Sequence, residues 1–210
     1  MDSFELNNIK IEWLGHASFR ITDKKENIVI YIDPFKIDTN IKADLILITH
    51  SHYDHFSLQD IEKIRKDSTL IYAPKDCDNI FTIVEPDMSL EYKGIKIETY
   101  PMYNISKPFH PKNKRWVSYV IKIRDVSIFH AGDTDLIQEF YSLPEITVAL
   151  LPVGGTYTMD YQEAAKLCEI IKPKYAIPMH YGTIIGSLED AKRFKELAKA
   201  TQVIILNKVK

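Results

Sequence analysis

Thr49-His50-Ser51-His52-Tyr53-Asp54-His55 places three histidines and an aspartate within six residues, in a chain that has seven histidines in all. Just before it lies Asp44-Leu45-Ile46-Leu47-Ile48, a short apolar run that reads as a buried strand. The cluster therefore falls where a strand gives way to a loop, a place where a rigid scaffold presents binding and catalytic groups. In extended backbone, residues i and i+2 point the same way, so His50 and His52 can grip one metal ion. Asp54 and His55 follow as the chain turns and can reach a second ion. Imidazole and carboxylate ligands suit zinc, manganese, iron or nickel. Two such ions about 3.5–4 Å apart can share a bridging hydroxide and clamp both ends of a displacement. The bland alternative is a polar loop that happens to be His-rich, and four ligands at this spacing make it the weaker account.

The remaining composition narrows the setting. At 210 residues and 45% apolar, the chain fits one domain, 1–210, with a sizeable core. A net charge of −2 argues against a dedicated nucleic-acid binder, which would be basic. No apolar run approaches the roughly 20 residues of a membrane span, and the opening Met1-Asp2-Ser3-Phe4-Glu5 carries no signal-peptide pattern. Cys77 and Cys168 lie far apart and in no metal or redox motif, which predicts reduced thiols in a cytoplasmic protein. A homo-oligomer is left open.

Moving outward, Ile9, Ile11 and Trp13 alternate as in a half-buried strand, Phe19 and Ile21 continue the pattern, and residues 27–32 read as a third strand ending at Asp33-Pro34. Pro34 pushes Asp33 toward extended geometry. Ser57 with Asp60 opens a helix whose face is Leu58, Ile61 and Ile64. Residues 69–73 form a short strand, and Lys93-Gly94 turns between two more, with Ile95 and Ile97 inward. Residues 103–116 lack periodicity and read as a long loop, of the kind that often walls an active site. Strands at 117–123 and 126–129 form a hairpin leading to His130. A strand at 148–151 precedes Gly154-Gly155. Asp160-Tyr161-Gln162-Glu163 is a capping box opening a helix with Ala164, Leu167, Cys168 and Ile171 inward. Residues 175–178 form a strand delivering His180. The last helix starts at Ser187, with Phe194, Leu197 and Ala198 inward, and residues 203–206 are a strand. No fixed-period repeat or linker is visible. So many strands need two sheets, with helices over their outer faces.

The pattern His-x-His-x-Asp-His after an apolar strand resembles the metallo-β-lactamase superfamily. So do Leu14-Gly15-His16-Ala17, Ile32-Asp33-Pro34-Phe35, His130-Ala131-Gly132-Asp133-Thr134, Leu151-Pro152-Val153-Gly154-Gly155 and Pro178-Met179-His180-Tyr181-Gly182-Thr183. Together they look most like the bacterial and archaeal metal-dependent hydrolase branch, which includes ascorbate-6-phosphate lactonase-like proteins. The resemblance implies an α/β fold, a four-layer αββα sandwich with the metals at one edge between the sheets. It implies that Asp133 bridges two ions, and that His180 completes the second with Asp54, His55 and Asp133. Read without it, Asp133 is equally a turn aspartate after glycine.

Other positions stay open between two readings. His16 and His130 sit at strand ends; each could orient a metal ligand, as Asp33 could, or be a buried histidine bonded to backbone. His16 could also donate a proton to a leaving group. Many relatives have a third histidine near Asn104. Either Asn104 ligates through oxygen and favours a harder ion, or His110 reaches in, or the first site is weak. The loop Lys107-Pro108-Phe109-His110-Pro111-Lys112-Asn113-Lys114-Arg115 has four basic residues and no acid. Lys107, Lys112 and Arg115 could bind a phosphate or carboxylate, or simply be solvated. Tyr157 and Tyr181 could line the pocket or pack.

These readings lead to a hydrolase with two divalent ions, zinc or manganese. A metal-bridged hydroxide would attack an anionic small-molecule ester, lactone or phosphodiester, with Asp54, Asp133 and His16 as catalytic groups. No serine or cysteine nucleophile is needed, and Gly154-Gly155 is not the Gly-x-Ser-x-Gly elbow. The alternative is a non-catalytic metal- or metabolite-binding protein with a degraded first metal site.

Overall fold

The computed structural model describes residues 1–77 and 81–209. The chain divides into two compact units, residues 1–84 with 206–210, and residues 85–205. The boundary at Val84-Glu85-Pro86 has no Gly- or Ser-rich linker, so composition alone predicts a single domain.

The first unit is a seven-stranded sheet in chain order: β1 (Phe4–Leu6), β2 (Ile9–Gly15), β3 (Ser18–Asp23), β4 (Ile28–Ile32), β5 (Leu45–Leu47), β6 (Leu70–Ala73) and β7 (Thr82–Ile83). Strands β1 to β4 pair antiparallel, and β4 to β7 pair parallel. Helix α1 (Leu58–Ile64) begins at Ser57, whose Oγ accepts from the Asp60 amide. Ile61 and Ile64 pack with Tyr31, Ile46 and Ile71 in one apolar cluster. Full burial of an isoleucine stabilises by about 1.5–3 kcal/mol, so this pair fixes the helix on the sheet. Leu58, in the first turn, is 48% exposed and not part of that face.

Strand β2 departs from the half-buried expectation. Glu12, Arg20 and Tyr31 stand opposite one another on neighbouring strands, and all are buried. Arg20 Nε donates to Glu12 Oε2 at 2.8 Å, and its Nη1 donates to Thr39 Oγ1 at 3.0 Å. Tyr31 Oη donates to the Ile41 carbonyl at 2.9 Å. The segment that follows Phe35 thus folds back over a polar sheet face and is held there by charge.

The second unit repeats this topology: β8 (Ser89–Tyr92), β9 (Ile95–Pro101), β10 (Val117–Ile123), β11 (Val126–His130), β12 (Val148–Pro152), β13 (Tyr175–Met179) and β14 (Gln202–Val203), again in chain order. The first four pair antiparallel and the last four parallel. The repeat lies in strand order, not in residue period, which is why the sequence shows none. Helix α2 (Tyr161–Ile171) opens with the predicted capping box at Asp160 and Glu163. Helix α3 (Leu188–Leu197) opens at Ser187 with Asp190. Its inward residues are Ala191 and Phe194, followed by Ala198, whereas Leu197 is 46% exposed. Burial pushes the Cys168 thiol of α2 up to about 12, so it behaves as a small core residue. Among the described residues no helix is long and apolar enough to cross a membrane.

Burial opposes the charge on Glu12, but hydrogen bonds from Arg20 and Lys10 outweigh it and hold the carboxyl below its ordinary value. A depressed folded-state value stabilises above the unfolded value of 4.5, and that stability is lost as pH falls below it. Arg20→Met is therefore expected to cost about 3–5 kcal/mol at pH 7, because it strands a buried carboxylate. Urea unfolding at pH 7 and at pH 3.5 checks this: the gap between wild type and variant should shrink at the lower pH.

Candidate metal centre

In the first unit the cluster gathers at the C-terminal ends of strands. β2 delivers His16, β4 delivers Asp33, and β5 leads into Thr49, His50, His52, Asp54 and His55. The segment after β5 turns tightly, with the amides of His55 and Phe56 both donating to the His52 carbonyl.

Asp33 organises this cluster. Its Oδ1 accepts from the Thr49 amide at 2.8 Å, and its Oδ2 accepts from Thr49 Oγ1 at 2.6 Å and from His55 Nδ1 at 2.7 Å. With its one proton given to Asp33, Thr49 Oγ1 accepts from His50 Nδ1–H at 2.9 Å. Both imidazoles are thereby fixed in the tautomer that leaves Nε2 as the lone-pair nitrogen, the arrangement a metal-ligating histidine requires. Asp33, His50 and His55 bring potential ligand atoms within 4.8 Å of one another. The hydrogen bonds make Asp33 the orienting group of that trio and the imidazoles its candidate ligands.

The donor geometry fits a divalent ion. His50 Nε2 and His52 Nδ1 lie 3.1 Å apart. Two nitrogens each about 2.0–2.1 Å from one tetrahedral ion would lie about 3.3–3.4 Å apart. Asp54 Oδ2 is 3.9 Å from His55 Nε2, within the span of two ligands on one ion. His16 Nε2 sits 3.0 Å from the same Asp54 oxygen, and its ring lies edge-on to His55 with centroids 5.3 Å apart. His16 thus faces the cluster rather than backbone.

Asp33 corrects an expectation. The following proline predicts extended backbone, yet φ at Asp33 is 46°. The three bonds to its carboxylate, with the Ser18 hydroxyl donating to its carbonyl, outweigh the local preference. His16 and His180 are also non-glycine residues at positive φ, 51° and 57°. Such backbone persists only where surrounding contacts over-determine it.

In the second unit Asp133 Oδ2 lies 3.0 Å from His180 Nε2 and 3.5 Å from His110 Nε2, with all three residues buried. Asn104 is not placed as a ligand. Its Oδ1 accepts from the His110 amide at 3.1 Å and from His110 Nδ1 at 2.9 Å. Its Nδ2 donates to Asp135 Oδ1 at 3.0 Å and to the Tyr157 carbonyl at 2.9 Å. Asn104 therefore orients His110, and His110 presents Nε2 toward Asp133. His130 Nδ1 accepts from the Gly132 amide at 3.2 Å and braces the turn that carries Asp133. Gly154 has a steric role: a Cβ there would lie 2.3 Å from the His180 carbonyl oxygen. Burial pushes the Tyr181 hydroxyl up to about 12, so it is a neutral phenol beside His180.

Asp135 and Thr49 escape the sequence reading. Buried Asp135 also accepts from the Ile105 amide at 2.8 Å and from Lys107 Nζ at 2.5 Å. Its signal was the second carboxylate in Asp133-Thr134-Asp135. The basic loop is ion-paired. Lys107 is held by Asp135 and by the Thr158 carbonyl at 2.8 Å, Lys112 by Glu139 at 2.8 Å, and Arg115 by Glu85 at 2.8 Å. Tyr157 packs edge-on against Phe109, with ring centroids 4.6 Å apart.

Comparison with known proteins gives the family and the fold. The family described as Beta-lactamase superfamily domain matches residues 10–180. A UPF0173 metal-dependent hydrolase of Thermococcus onnurineus is 35% identical over 219 residues, covering 94% of this chain and 96% of the relative. A solved candidate metal-dependent hydrolase from Parabacteroides distasonis superposes with a TM-score of 0.86 at 30% identity, covering 100% of this chain and 98% of its own. Igni18, a metallo hydrolase of Ignicoccus hospitalis, superposes with a TM-score of 0.79 at 25% identity, covering 96% of each chain. The fold is the metallo-β-lactamase fold, in the α/β class. The chain belongs to the β-lactamase superfamily, and within it to the UPF0173 metal-dependent hydrolases.

Asp33→Asn should weaken metal binding about 10–100-fold, since in either orientation its amide nitrogen, a donor, faces a donor: the Thr49 amide, or Thr49 Oγ1 and His55 Nδ1. Competition with a chelating dye measures it. Gly154→Ala should lower stability by about 1–3 kcal/mol through the clash with His180. Thermal unfolding of wild type and variant checks that, and an unchanged midpoint would contradict the assigned contact.

Proposed function

We propose that the chain hydrolyses a small-molecule ester, lactone or phosphodiester, using two divalent ions, zinc or manganese, in a cytoplasmic setting. The ligands are His50, His52, Asp54 and His55 in the first unit's cluster, and His110, Asp133 and His180 in the second's. The observation that carries the reading is the Asp33–Thr49 pair, which fixes two imidazoles with Nε2 as acceptor. Histidines that merely pack do not need their tautomers set by a buried carboxylate.

When bound, the ions supply Lewis acidity and a hydroxide nucleophile near neutral pH. The chain's own groups position and exchange protons. Asp33 and Asn104 hold ligand rings in place, Asp133 presents its carboxylate between two imidazoles, and His16 Nε2, bonded to Asp54, is placed to give a proton to a leaving oxygen. Preference for an anionic reacting group then comes from the charge of the ions, because Lys107, Lys112 and Arg115 are ion-paired. The non-catalytic alternative rested on Asn104 standing where a histidine was expected. With Asn104 bonded to His110, that footing goes.

Loading with zinc or manganese, ion counting by plasma mass spectrometry, and assay on p-nitrophenyl acetate, γ-butyrolactone and bis-p-nitrophenyl phosphate test the proposal. About two ions per chain are expected, with turnover lost on chelation and restored by metal. His110→Ala should lower the ion count, and Asn104→Ala should weaken affinity about 10–100-fold. Turnover that survives complete chelation would sink the proposal. Two ions with no turnover of any substrate class would restore the non-catalytic reading.

A further inference from the structure

The loop that carries His110 has two faces of opposite character. Toward the interior, Asn104, Asp135 and Lys107 form the buried polar network already described. Toward solvent stand Ile105, 67% exposed, and Phe109, 41% exposed, ahead of the exposed, ion-paired Lys112 and Arg115. Phe109 meets the ring of half-buried Tyr157 edge-on, and Tyr157 is tied to the same network through its carbonyl. Tyr157 follows Gly154-Gly155, and Ile185 comes within 3.3 Å of where a Cβ on Gly154 would stand. Its neighbour Ile184 is 36% exposed. Apolar side chains thus line the two segments that deliver His110 and His180. A run of exposed apolar groups on loops marks a binding surface more often than chance does.

We infer that this strip is the subsite for an alkyl or aryl group of the substrate, so that the chain acts on an ester or phosphodiester carrying an apolar substituent beside its reacting group. The inference rests on the hydrolase reading for what is cleaved, and on the strip alone for what is recognised. Size favours a small molecule. Five side chains, none fully exposed, offer on the order of a few hundred Å², whereas a standard protein interface takes about 800 Å² from each partner. Position favours substrate: Phe109 adjoins His110 in the chain, and Tyr157 is fixed to Asn104, which orients His110. An apolar group resting on this pair therefore lies at a set distance from the ligand ring.

Two titrations separate the inference from the reading beneath it. The first uses alkylphosphonates from methyl to hexyl, with phenylphosphonate, on zinc-loaded protein. The second uses neutral alcohols from ethanol to hexanol, with benzyl alcohol, on metal-free protein, followed by NMR shifts of the Phe109 and Tyr157 rings. In the wild type, affinity should rise about two- to fourfold per methylene in both series. Phe109→Ser should flatten that rise while the zinc content of the same sample stays at the wild-type value. If alcohols show the rise and no phosphonate binds, the strip stands and the hydrolase reading of the cluster fails. If neither series depends on chain length, the inference is overturned. It is equally overturned if Phe109→Ser loses zinc and binds every phosphonate more weakly by the same factor, since Phe109 would then act only through His110. Concentration-dependent sedimentation that shows wild-type self-association abolished by Phe109→Ser would assign the strip to a second copy of the chain instead.

Discussion

A buried carboxylate, Asp33, decides how the candidate metal-ligating histidines beside it face. Asp33 holds Thr49 through both its amide and its hydroxyl, and Thr49 holds His50 through Nδ1. In the second unit Asp135 holds Asn104, and Asn104 holds His110 through Nδ1. Each unit thus builds a relay from aspartate, through one polar side chain, to histidine. The aspartate follows the fourth strand of its sheet in both, β4 in one and β11 in the other. A carboxylate surrounded by several donors serves them as acceptor. That constraint runs down the relay and leaves one tautomer for each ring. The same sheet topology, used twice, therefore gives the same solution to the same electrostatic problem with different intermediates.

Three residues of the two clusters also bend the backbone into the left-handed region. His16, Asp33 and His180 adopt positive φ without being glycine. Asp33 and His16 each make their cluster contacts through short side chains attached just beyond a strand end, so the backbone must bend to aim them. His180 bends where its carbonyl passes over Gly154, which is free of a Cβ. A Cβ on Gly186 would in turn lie 2.7 Å from the Gly154 Cα, so the returning loop depends on the same close approach. Local propensity yields at Asp33 because the bonds that hold it are buried and numerous.

Much of this was legible in the chain. Periodicity and caps located α1, α2 and α3 and most strands, because a helix face and a half-buried strand write their burial into residue order. The ligand motif was legible because metal coordination demands particular side chains at close spacing. What was not legible depends on contacts distant in sequence. Glu12 and Arg20 look like the solvent face of a strand until Thr39 and Ile41 are seen to cover them. Thr49 looks like the end of an apolar run, although its hydroxyl bridges Asp33 and His50. The partnership of Asn104 with His110 spans only six residues, but it needs a loop whose path no periodicity describes. Leu58 and Leu197 misled for a related reason: at helix ends the apolar face can outrun the surface it packs on.

The basic loop shows how composition and geometry part. A segment with four cations and no acid reads as an anion clamp, but its acids come from elsewhere in the chain: Asp135, Glu139 and Glu85. Once those pairs form, the loop's charge is partly offset and its remaining character is set by the apolar surface beside the cations. That is Ile105 and Phe109, which no charge count brings forward. Toward solvent the loop therefore presents Ile105 and Phe109 beside its paired cations, and toward the interior a hydrogen-bonded frame for His110. On the proposed reading, ion pairing inside the unit leaves the recognition of charge to the metal ions and the recognition of apolar surface to the loop.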